Sequence, residues 1–403
     1  MPRWRIEAPL LVAIFLDLLG FGMIIADFQL RADKLMPRGW PTGAVIGALL
    51  ASTFVAQVLM SPRWGVASDR IGRKPVIVLC TLLSAAAMFV FAAAQGVTWL
   101  LVSRILAGLG GANVAVAQAV VSDHLDEEHR TAAMGRLGAA ISAGLILGPV
   151  MGGILAVAGT NHLVGLVAGC ASLTGAVLLA AFLKTSRRGE PVDLGKPPLI
   201  DLRLVKEFPR LRRLVAIAAV SWFSLAMLEG TFARLLKDLF SYDQRHFGML
   251  FAYESLIAVI VQAVLLGVIR KRVGETPLLR IAYLLQGLGL GLTPAAVLVS
   301  NFVIPLAALF VASTLFALGS ALANPTVNSA CSHLAPQDRQ GELFGVLQSA
   351  RSVGFLAGPL MGGILYDFKP WLPYVAAAFV CVWAAVLVPA TPQREVVTKD
   401  QEL

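Results

Sequence analysis

The sequence predicts an all-α membrane protein with twelve transmembrane helices in two pseudo-symmetric six-helix bundles. Three observations favour this fold class. Of the 403 residues, 57% are hydrophobic and only 14% are charged, whereas ordinary soluble domains carry about a quarter charged residues. The apolar residues occur in runs long enough to cross a bilayer, and one long segment occurs twice in the chain. A bilayer accommodates so much apolar surface because its hydrocarbon interior solvates apolar side chains.

The apolar runs divide into two sets of six. A helix needs about 20 residues to cross about 30 Å of hydrocarbon. The first set is predicted at 8–30, 43–61, 75–94, 97–121, 133–157 and 161–183. The second set is predicted at 211–236, 246–269, 277–299, 302–331, 341–366 and 371–390. The first run is too long and too acidic for a cleaved signal peptide, so it is predicted to be a retained helix.

The basic residues indicate the orientation and the domain boundaries. The formal charge of +9 is concentrated in short loops on alternate sides of the spans, which is how cytoplasmic loops are marked, so it does not indicate nucleic acid. The segment 184–210 is charged and bears prolines, as expected of a cytoplasmic linker. We therefore expect an N-terminal bundle at 1–183, a C-terminal bundle at 211–390, a cytoplasmic tail at 391–403 and cytoplasmic termini. The compact loops favour a bacterial inner membrane.

An internal repeat supports the two-bundle arrangement. Residues 135–155 and 345–365 align without gaps and are identical in 12 of 21 columns. These segments are the fifth span of each set, so duplication of a six-helix unit is the simplest explanation. Duplication predicts two bundles related by an axis along the membrane normal, with a cavity between them.

The loop after the second span carries a specific motif. It reads from Gly65 through Asp69, Arg70 and Gly72 to Arg73 and Lys74, and it resembles the loop signature of the major facilitator superfamily. Asp69 is expected to meet basic groups or a helix N-terminus in one conformation and to release them in another. The predicted conformational gate comprises Gly65, Asp69, Arg70, Gly72, Arg73 and Arg130. A copy at 267–276 has Lys271 in place of the aspartate, so only the first gate is expected to work fully.

The fourth and fifth spans extend the resemblance. The fourth span begins with Arg104 in a pattern similar to that of the same superfamily, and an arginine inside a membrane is a functional candidate because it is costly to bury. The fifth span resembles the glycine-rich signature of its antiporters. Glycines four residues apart also allow close helix packing, so export and packing both remain open explanations. The predicted packing residues are Gly144, Gly148, Pro149, Gly152, Gly153, Gly354, Gly358, Pro359, Gly362 and Gly363.

The first span is similar to the start of the tetracycline-efflux-like, drug:proton antiporter branch of that superfamily. The resemblance rests on Leu16, Asp17, Gly20 and Gly22. It implies a transporter in which a membrane carboxyl group exchanges protons. Asp17 is suited to this role because a carboxyl group in a low dielectric is stabilised in its neutral, proton-loaded form. The alternative role for Asp17 is a structural hydrogen bond to another helix. The candidate proton-coupling residues are Asp17, Asp27 and Glu229.

Other polar residues inside the spans are candidates for a substrate cavity. Asp27 and Arg31 are four residues apart and are expected to pair on one helix face. Arg351 is expected near the bilayer midplane with a carboxylate or an anionic substrate as its counter-ion. Each polar residue could instead hold helices together. The full set of candidates is Arg31, Gln57, Arg104, Asn113, Glu254, Asn324, Gln348 and Arg351.

These observations predict an alternating-access secondary transporter, a proton-coupled exporter of small amphiphilic or drug-like molecules. The alternative is an importer or facilitator of a metabolite or lipid-like organic anion bound by the intramembrane arginines. No nucleotide-binding or hydrolase motif occurs, so an enzyme is not expected. No metal site and no cofactor are predicted; the proton is the expected coupling ion. The expected partners are a small-molecule substrate and membrane lipid, with a monomeric chain.

Overall fold

The computed structural model describes residues 4–124, 127–157, 162–184, 203–294, 303–336 and 339–389, and all of its regular elements are helical. In the first half of the chain the helices are α1 (Trp4–Leu35), α2 (Thr42–Ile71), α3 (Arg73–Ala93), α4 (Val97–Gly110), α5 (Asn113–His124), α6 (Glu127–Val157) and α7 (Leu163–Phe182). In the second half they are α8 (Arg203–Glu207), α9 (Pro209–Phe240), α10 (Gln244–Ile260), α11 (Leu266–Val273), α12 (Glu275–Leu292), α13 (Val303–Leu334), α14 (Gln340–Phe368) and α15 (Leu372–Leu387).

The helices coincide with the predicted spans, which confirms the all-α membrane fold class. In the described parts of the chain, eight helices are long and apolar enough to cross a membrane by length and composition. The structure differs from the prediction at the linker 184–210, because helix α8 and the start of α9 lie within it. Proline is favourable at the first helical position, where its missing N–H costs nothing, and Pro209 begins α9. Residues 185–202 of the linker and the tail 391–403 lie outside the described residues.

The fourth predicted span is interrupted at two adjacent glycines. Helix α4 ends at Gly110, and the N–H of Gly111 donates to the carbonyl of Gly108 at 3.1 Å. Helix α5 then begins at Asn113, whose side-chain oxygen accepts a hydrogen bond from the N–H of Val114 at 2.6 Å. Glycine loses more conformational freedom in a helix than other residues, so a Gly-Gly pair is a natural place for the break. The break places the Asn113 side chain at the start of a helix.

The eighth predicted span contains a second irregularity. Between α10 and α11, Val261–Leu265 forms a π-helical turn.

Helix α10 begins after Asp243, whose carboxylate accepts hydrogen bonds from the N–H groups of Arg245 at 3.1 Å and His246 at 3.3 Å. Partial burial acts to raise the pKa of Asp243, but these hydrogen bonds and the His246 side chain lower it below its ordinary value. Asp243 is therefore an anionic cap on α10.

The chain forms two compact units. Unit 1 comprises the described residues within Met1–Ile200, Leu225–Ser255 and Ser352–Tyr374; unit 2 comprises those within Asp201–Ser224, Leu256–Arg351 and Val375–Leu403. In unit 1, α1 packs against α6 and α7, and α3 packs against α4 and α7. In unit 2, α12 packs against α13 around a core that includes Leu278 and Tyr283. Unit 1 thus includes segments of α9, α10 and α14 from the second half of the sequence.

Glycines explain the close packing of α6 in unit 1. A Cβ on Gly144 would come within 2.8 Å of the Phe15 carbonyl oxygen, and one on Gly148 would come within 2.6 Å of the Gly22 Cα atom. Gly152 lies equally close to α1 at Met23. Such positions have no room for a side chain, so the backbones of α1 and α6 touch directly. Pro149 lies inside α6 between these contacts.

Helix α14 repeats this pattern within unit 1. Gly362 packs against Met227 of α9, whereas Gly363 lies directly against the backbone of Gly43 in α2. The corresponding pair in α6 faces α1 and α10, because a Cβ on Gly153 would lie 3.2 Å from the Gly248 Cα atom. Pro359 is inside α14, and Gly354 and Gly358 are buried. The duplicated glycine motif therefore makes matching helix contacts in both copies.

Candidate functional site

A small cavity in unit 1 contains two of the predicted site residues. It is about 50 Å³ in volume and is lined by α1, α2, α4, α9 and α14. Its walls are mostly apolar, and its two charged lining residues are Arg104 and Glu229. The complete lining is Phe21, Ile24, Ile25, Phe28, Leu50, Phe54, Arg104, Ala226, Glu229, Gly230, Phe355 and Pro359. Pockets for drug-sized ligands have volumes of about 300–1,000 Å³, so this conformation is too closed to hold such a molecule.

Four phenylalanines are among the twelve residues that line the cavity. Phe54 of α2 and Phe355 of α14 stack with their ring centroids 5.0 Å apart. Phe28 of α1 lies against Phe91 of α3 at 5.9 Å, and Arg104 is held against both of these rings. Aromatic walls with a few charged groups are suited to amphiphilic ligands. The sequence analysis did not single out these phenylalanines, because aromatic residues in a membrane span are usually packing residues.

Asp17 lies in unit 1 but is not among the residues that line the cavity. Its side chain is only 3% exposed, and it accepts a hydrogen bond from the Asn113 side chain through Oδ2. Ser84 of α3 and Ser172 of α7 face the same carboxyl group. Oδ1 is buried without a hydrogen-bond partner, and no salt bridge to Asp17 occurs among the described residues. Asp17 and Asn113, predicted for different roles, therefore form one polar group inside a helix bundle.

The residues predicted near the end of α1 have different partners from those expected. Arg31 donates to the carbonyl oxygens of Ala92 at 2.9 Å and Ala94 at 2.8 Å, at the end of α3. Asp27 is close enough for Arg31, Lys34 and His162 to act on its charge, but its Oδ2 is buried without a hydrogen-bond partner. The described hydrogen bonds of Arg31 thus hold helix ends together, while its positive charge also acts on Asp27.

Three other predicted cavity residues in unit 1 are not among the residues that line the cavity. Gln57 donates to the Gly111 carbonyl at 2.8 Å and so holds α2 against the break between α4 and α5. Glu254 of α10 is 9% exposed. Asn113 contacts Asp17, as described above. Gln57 and Asn113 therefore have positioning roles in this structure, in line with the packing alternative that the sequence left open.

The remaining candidates belong to unit 2. The Arg351 guanidinium lies 4.6 Å from the centroid of the Trp222 ring in a cation–π contact. Gln348 is exposed, and the Asn324 side-chain oxygen is buried without a hydrogen-bond partner. None of these three residues is among those that line the cavity of unit 1.

The predicted gate loop is held by ion pairs around Arg73. Arg73 contacts Asp69 at 2.6 Å and Asp123, at the end of α5, at 2.8 Å. Gly72 adopts a φ of +99°, which an L-residue with a side chain rarely adopts. Arg70 is exposed, and Gly65 has open space beside its Cα atom. The Arg130 side chain lies outside the described residues.

The related loop in unit 2 carries the opposite charge arrangement. Gly274 has a φ of +81° and is followed by Glu275, where the first loop has Gly72 and Arg73. Glu275 accepts from the Ser329 hydroxyl at 2.7 Å and contacts His333 at 3.1 Å, and Arg270 lies 3.9 Å away. A carboxylate thus occupies the centre of this loop, where the first has a guanidinium. The sequence prediction of a decayed copy missed this ion cluster because it considered only the position of Lys271.

Unit 1 contains a second ionic cluster that the sequence analysis missed. Asp33 at the end of α1 pairs with Lys237 at 2.5 Å and lies 3.5 Å from Arg234, both on α9. Arg234 also lies 4.6 Å from the ring centroid of Tyr366 on α14, whose hydroxyl donates to another carboxylate of α9 at 2.7 Å. Gln29 adds a hydrogen bond from α1 to the Glu229 carbonyl oxygen. Together these contacts join the ends of α1, α9 and α14.

Asp367 joins the same end of α14 to the start of α2. Its two carboxylate oxygens accept hydrogen bonds from the N–H groups of Gly43 at 2.6 Å and Ala44 at 2.7 Å. The first N–H groups of a helix have no partner within the helix, and the helix dipole favours a negative charge there. Asp367 therefore caps α2 from 323 positions away. An acid at the end of an apolar run is too common a feature for the sequence to indicate such a contact.

We expect Asp367→Asn to loosen the start of α2. The amide keeps the shape of the carboxylate but removes its charge, so the cap weakens by about 1 kcal/mol. That change corresponds to about fivefold faster hydrogen exchange at the amides of Gly43 and Ala44, measured by mass spectrometry on the purified protein. Asp123→Asn, which changes an acid at the end of α5 that pairs with Arg73, serves as the control. Unchanged exchange at α2 in Asp367→Asn would contradict the capping role.

Comparisons with known proteins agree with this architecture. The Major Facilitator Superfamily profile matches residues 10–351 and 214–403. Multidrug resistance protein 2 of Bacillus subtilis is 28% identical over 382 residues, covering 93% of this chain and 92% of the relative. The class E tetracycline resistance protein of Escherichia coli is 30% identical over 366 residues, covering 89% and 87%. The crystal structure of the human organic anion transporter MFSD10 (TETRAN) has a similar fold, with a TM-score of 0.67 at 21% identity, covering 96% of this chain and 100% of that one.

Proposed function

The chain belongs to the major facilitator superfamily, and from this premise we propose that it is a proton-coupled exporter of small amphiphilic, drug-like molecules. It is an integral membrane transporter rather than an enzyme. The observation that carries the proposal is the cavity of unit 1, whose phenyl walls and two charged side chains suit an amphiphile. The relatives named for multidrug and tetracycline resistance support drug-like substrates. Export proceeds by alternating access, in which the small cavity expands to admit the substrate.

Asp17 is the proposed proton carrier. It is a buried carboxyl group with hydroxyl and amide neighbours, and no basic side chain pairs with it among the residues described. A carboxyl group in this setting can be neutral or charged without breaking a salt bridge, whereas a paired carboxylate cannot. Asp27 is the second candidate and Glu229, at the cavity wall, is the third. Asp17 is not among the residues that line the cavity, which is consistent with separate groups for the proton and the substrate.

The proposal includes a location and an assembly. The chain functions as a monomer in the bacterial inner membrane, surrounded by lipid, with both termini and the predicted linker in the cytoplasm. The halves 1–183 and 211–390 are the proposed moving bundles, and the loop from Gly65 to Arg73, with Arg130, is the proposed cytoplasmic gate. The basic residues of the loops support this orientation.

The experiment is proton-gradient dequenching in inside-out vesicles that contain the protein. The vesicles are challenged in turn with tetraphenylphosphonium, neutral drugs such as chloramphenicol, and organic anions. Proton antiport predicts dequenching with at least one class and none in vesicles without the protein. No response from a folded and inserted protein would refute proton-coupled export.

A facilitator or importer of an organic anion is the second candidate. It is favoured by Arg104, a buried guanidinium at the cavity wall, and by Arg351 stacked on Trp222. A facilitator predicts anion flux that is insensitive to an uncoupler, whereas coupled export predicts flux that the uncoupler abolishes. Radiolabelled anion uptake with and without an uncoupler separates the two functions.

A further inference from the structure

Arg104 is an unusual arginine in this protein. It is 2% exposed, on α4, and it lines the cavity of unit 1. Its hydrogen bond through Nε, to the Ser103 hydroxyl, is long at 3.4 Å. Its Nη2 atom is buried with no hydrogen-bond partner, and no carboxylate lies within salt-bridge distance of it in the described part of the chain. A buried charged donor without a partner is costly, so this site lacks an acceptor.

The other buried arginines of unit 1 lie close to oxygen acceptors. Arg31 donates to two carbonyl oxygens at 2.8 and 2.9 Å. The Arg234 Nε atom is also buried without a hydrogen-bond partner, but it lies within ion-pair distance of the Asp33 carboxylate, at 3.5 Å. All three arginines also lie against aromatic rings. A cation–π contact stabilises a guanidinium group, but it does not replace a charge-assisted hydrogen bond. What distinguishes Arg104 is therefore the missing oxygen acceptor, and its position at the cavity wall is where a ligand could supply one.

The rings around Arg104 define the rest of the ligand. Its guanidinium carbon lies 4.6 Å from the centroid of the Phe28 ring and 5.9 Å from that of Phe91. Phe28 also belongs to the cavity lining, together with Phe21, Phe54 and Phe355. An oxygen that reaches Arg104 therefore belongs to a molecule whose body contacts phenyl groups. Planar guanidinium groups favour carboxylates, which they can bind through two parallel hydrogen bonds.

We propose that Arg104 determines substrate specificity by binding an acidic or strongly accepting oxygen carried by an aromatic amphiphile. This inference rests on the proposed function, because it names the substrate class of the same cavity. It assigns Arg104 direct contact with the substrate and leaves Asp17 as the proton carrier. A lipophilic cation without an oxygen leaves the guanidinium unsatisfied and binds more weakly.

The test uses three matched probes and the purified full-length protein in lipid nanodiscs. The probes are (4-carboxybutyl)triphenylphosphonium, its methyl ester and butyltriphenylphosphonium, which share the same phenyl groups and phosphonium charge. Binding is measured by equilibrium dialysis without a proton gradient. The acid is expected to bind about tenfold or more tighter than the alkyl probe, with the ester between them, as a charge-assisted hydrogen bond implies. Equal affinities of the three probes in the wild type, or no binding of any, would overturn the inference whatever the variants do.

Variants then assign the preference to one arginine. Arg104→Met is expected to bring the ratio of acid to alkyl affinity close to one, and Arg104→Lys to retain part of it. Arg234→Met is the matched control, because Arg234 is another buried arginine of unit 1 that lies against an aromatic ring but does not line the cavity, and its ratio is expected to stay at the wild-type value. A ratio that survives unchanged in Arg104→Met or Arg104→Lys, or that is lost in Arg234→Met instead, overturns the assignment. Because no gradient is applied, a negative binding result does not argue against proton coupling. A negative dequenching result likewise does not argue against the binding preference.

Discussion

Asp17→Asn is expected to abolish proton-coupled transport while the protein remains folded. Asparagine has nearly the same shape as aspartate and retains an oxygen that can accept the hydrogen bond from Asn113. It cannot bind or release a proton in the physiological range, so coupling is lost although packing is preserved. The measurement is substrate-induced dequenching in inside-out vesicles, with the thermal melting temperature as the test of folding.

Two variants make the Asp17 result specific. Asp17→Glu retains a titratable group and is expected to keep part of the coupled flux. Asp33→Asn removes a different acid of α1, one that is paired with Lys237, and it is expected to retain the dequenching signal. Undiminished coupled transport in Asp17→Asn would show that Asp27 or Glu229 carries the proton instead.

Gly363→Leu is expected to prevent α2 and α14 from meeting and to abolish transport. The Cα atoms of these helices approach so closely that a Cβ on Gly363 would collide with the Gly43 carbonyl oxygen. Overpacking in a well-packed interior costs about 1–3 kcal/mol, and here the neighbour is backbone, which cannot move aside by changing a rotamer. The same substitution is also expected to break the cap that Asp367 places on α2, because that cap requires the same close approach of α2 and α14.

Gly345→Leu is the matched control for this prediction. Gly345 lies on the same helix, α14, but nothing lies within 4 Å of a Cβ placed there. We expect near-normal transport in Gly345→Leu and background transport in Gly363→Leu, with higher thiol reactivity of an Ala44→Cys reporter only in the second. Normal transport by Gly363→Leu would show that the contact between α2 and α14 is not needed for the cycle.

Much of the fold could be predicted from the sequence because hydrophobic span length and internal repetition are local signals. The spans and the glycine motifs are both of this kind, and the packing of Gly144 against Phe15 follows from small-residue spacing. The site was predicted only in part. Arg104 and Glu229 were named because a charge inside a membrane span is rare, and both line the cavity.

The contacts that the sequence did not indicate join residues far apart in the chain. Asp367 and Gly43 are separated by 324 positions, and nothing in either local sequence indicates the other. Asp17 and Asn113 were each recognised as polar residues in apolar spans, but the break after Gly110 is what presents Asn113 to Asp17. Helical spacing predicted that Arg31 acts on Asp27, and the charge of Arg31 does act on that carboxyl group. Nothing in the spacing indicated that Arg31 also donates to the carbonyl oxygens of Ala92 and Ala94 at the end of α3.

Because Asp17 is not among the residues that line the cavity, the substrate range of such a transporter can change without a change at Asp17. Asp17 and Phe21 are one helical turn apart on α1, but only Phe21 reaches the cavity wall. Substitutions among the wall residues can therefore alter which compounds are accepted without touching the group that we propose carries the proton. The proposed proton carrier and the residues that select the substrate would then be able to change independently, although Asp17 and Phe21 lie on the same helix. A few changes in the wall alone would then be enough to alter the substrates of a transporter built on this plan.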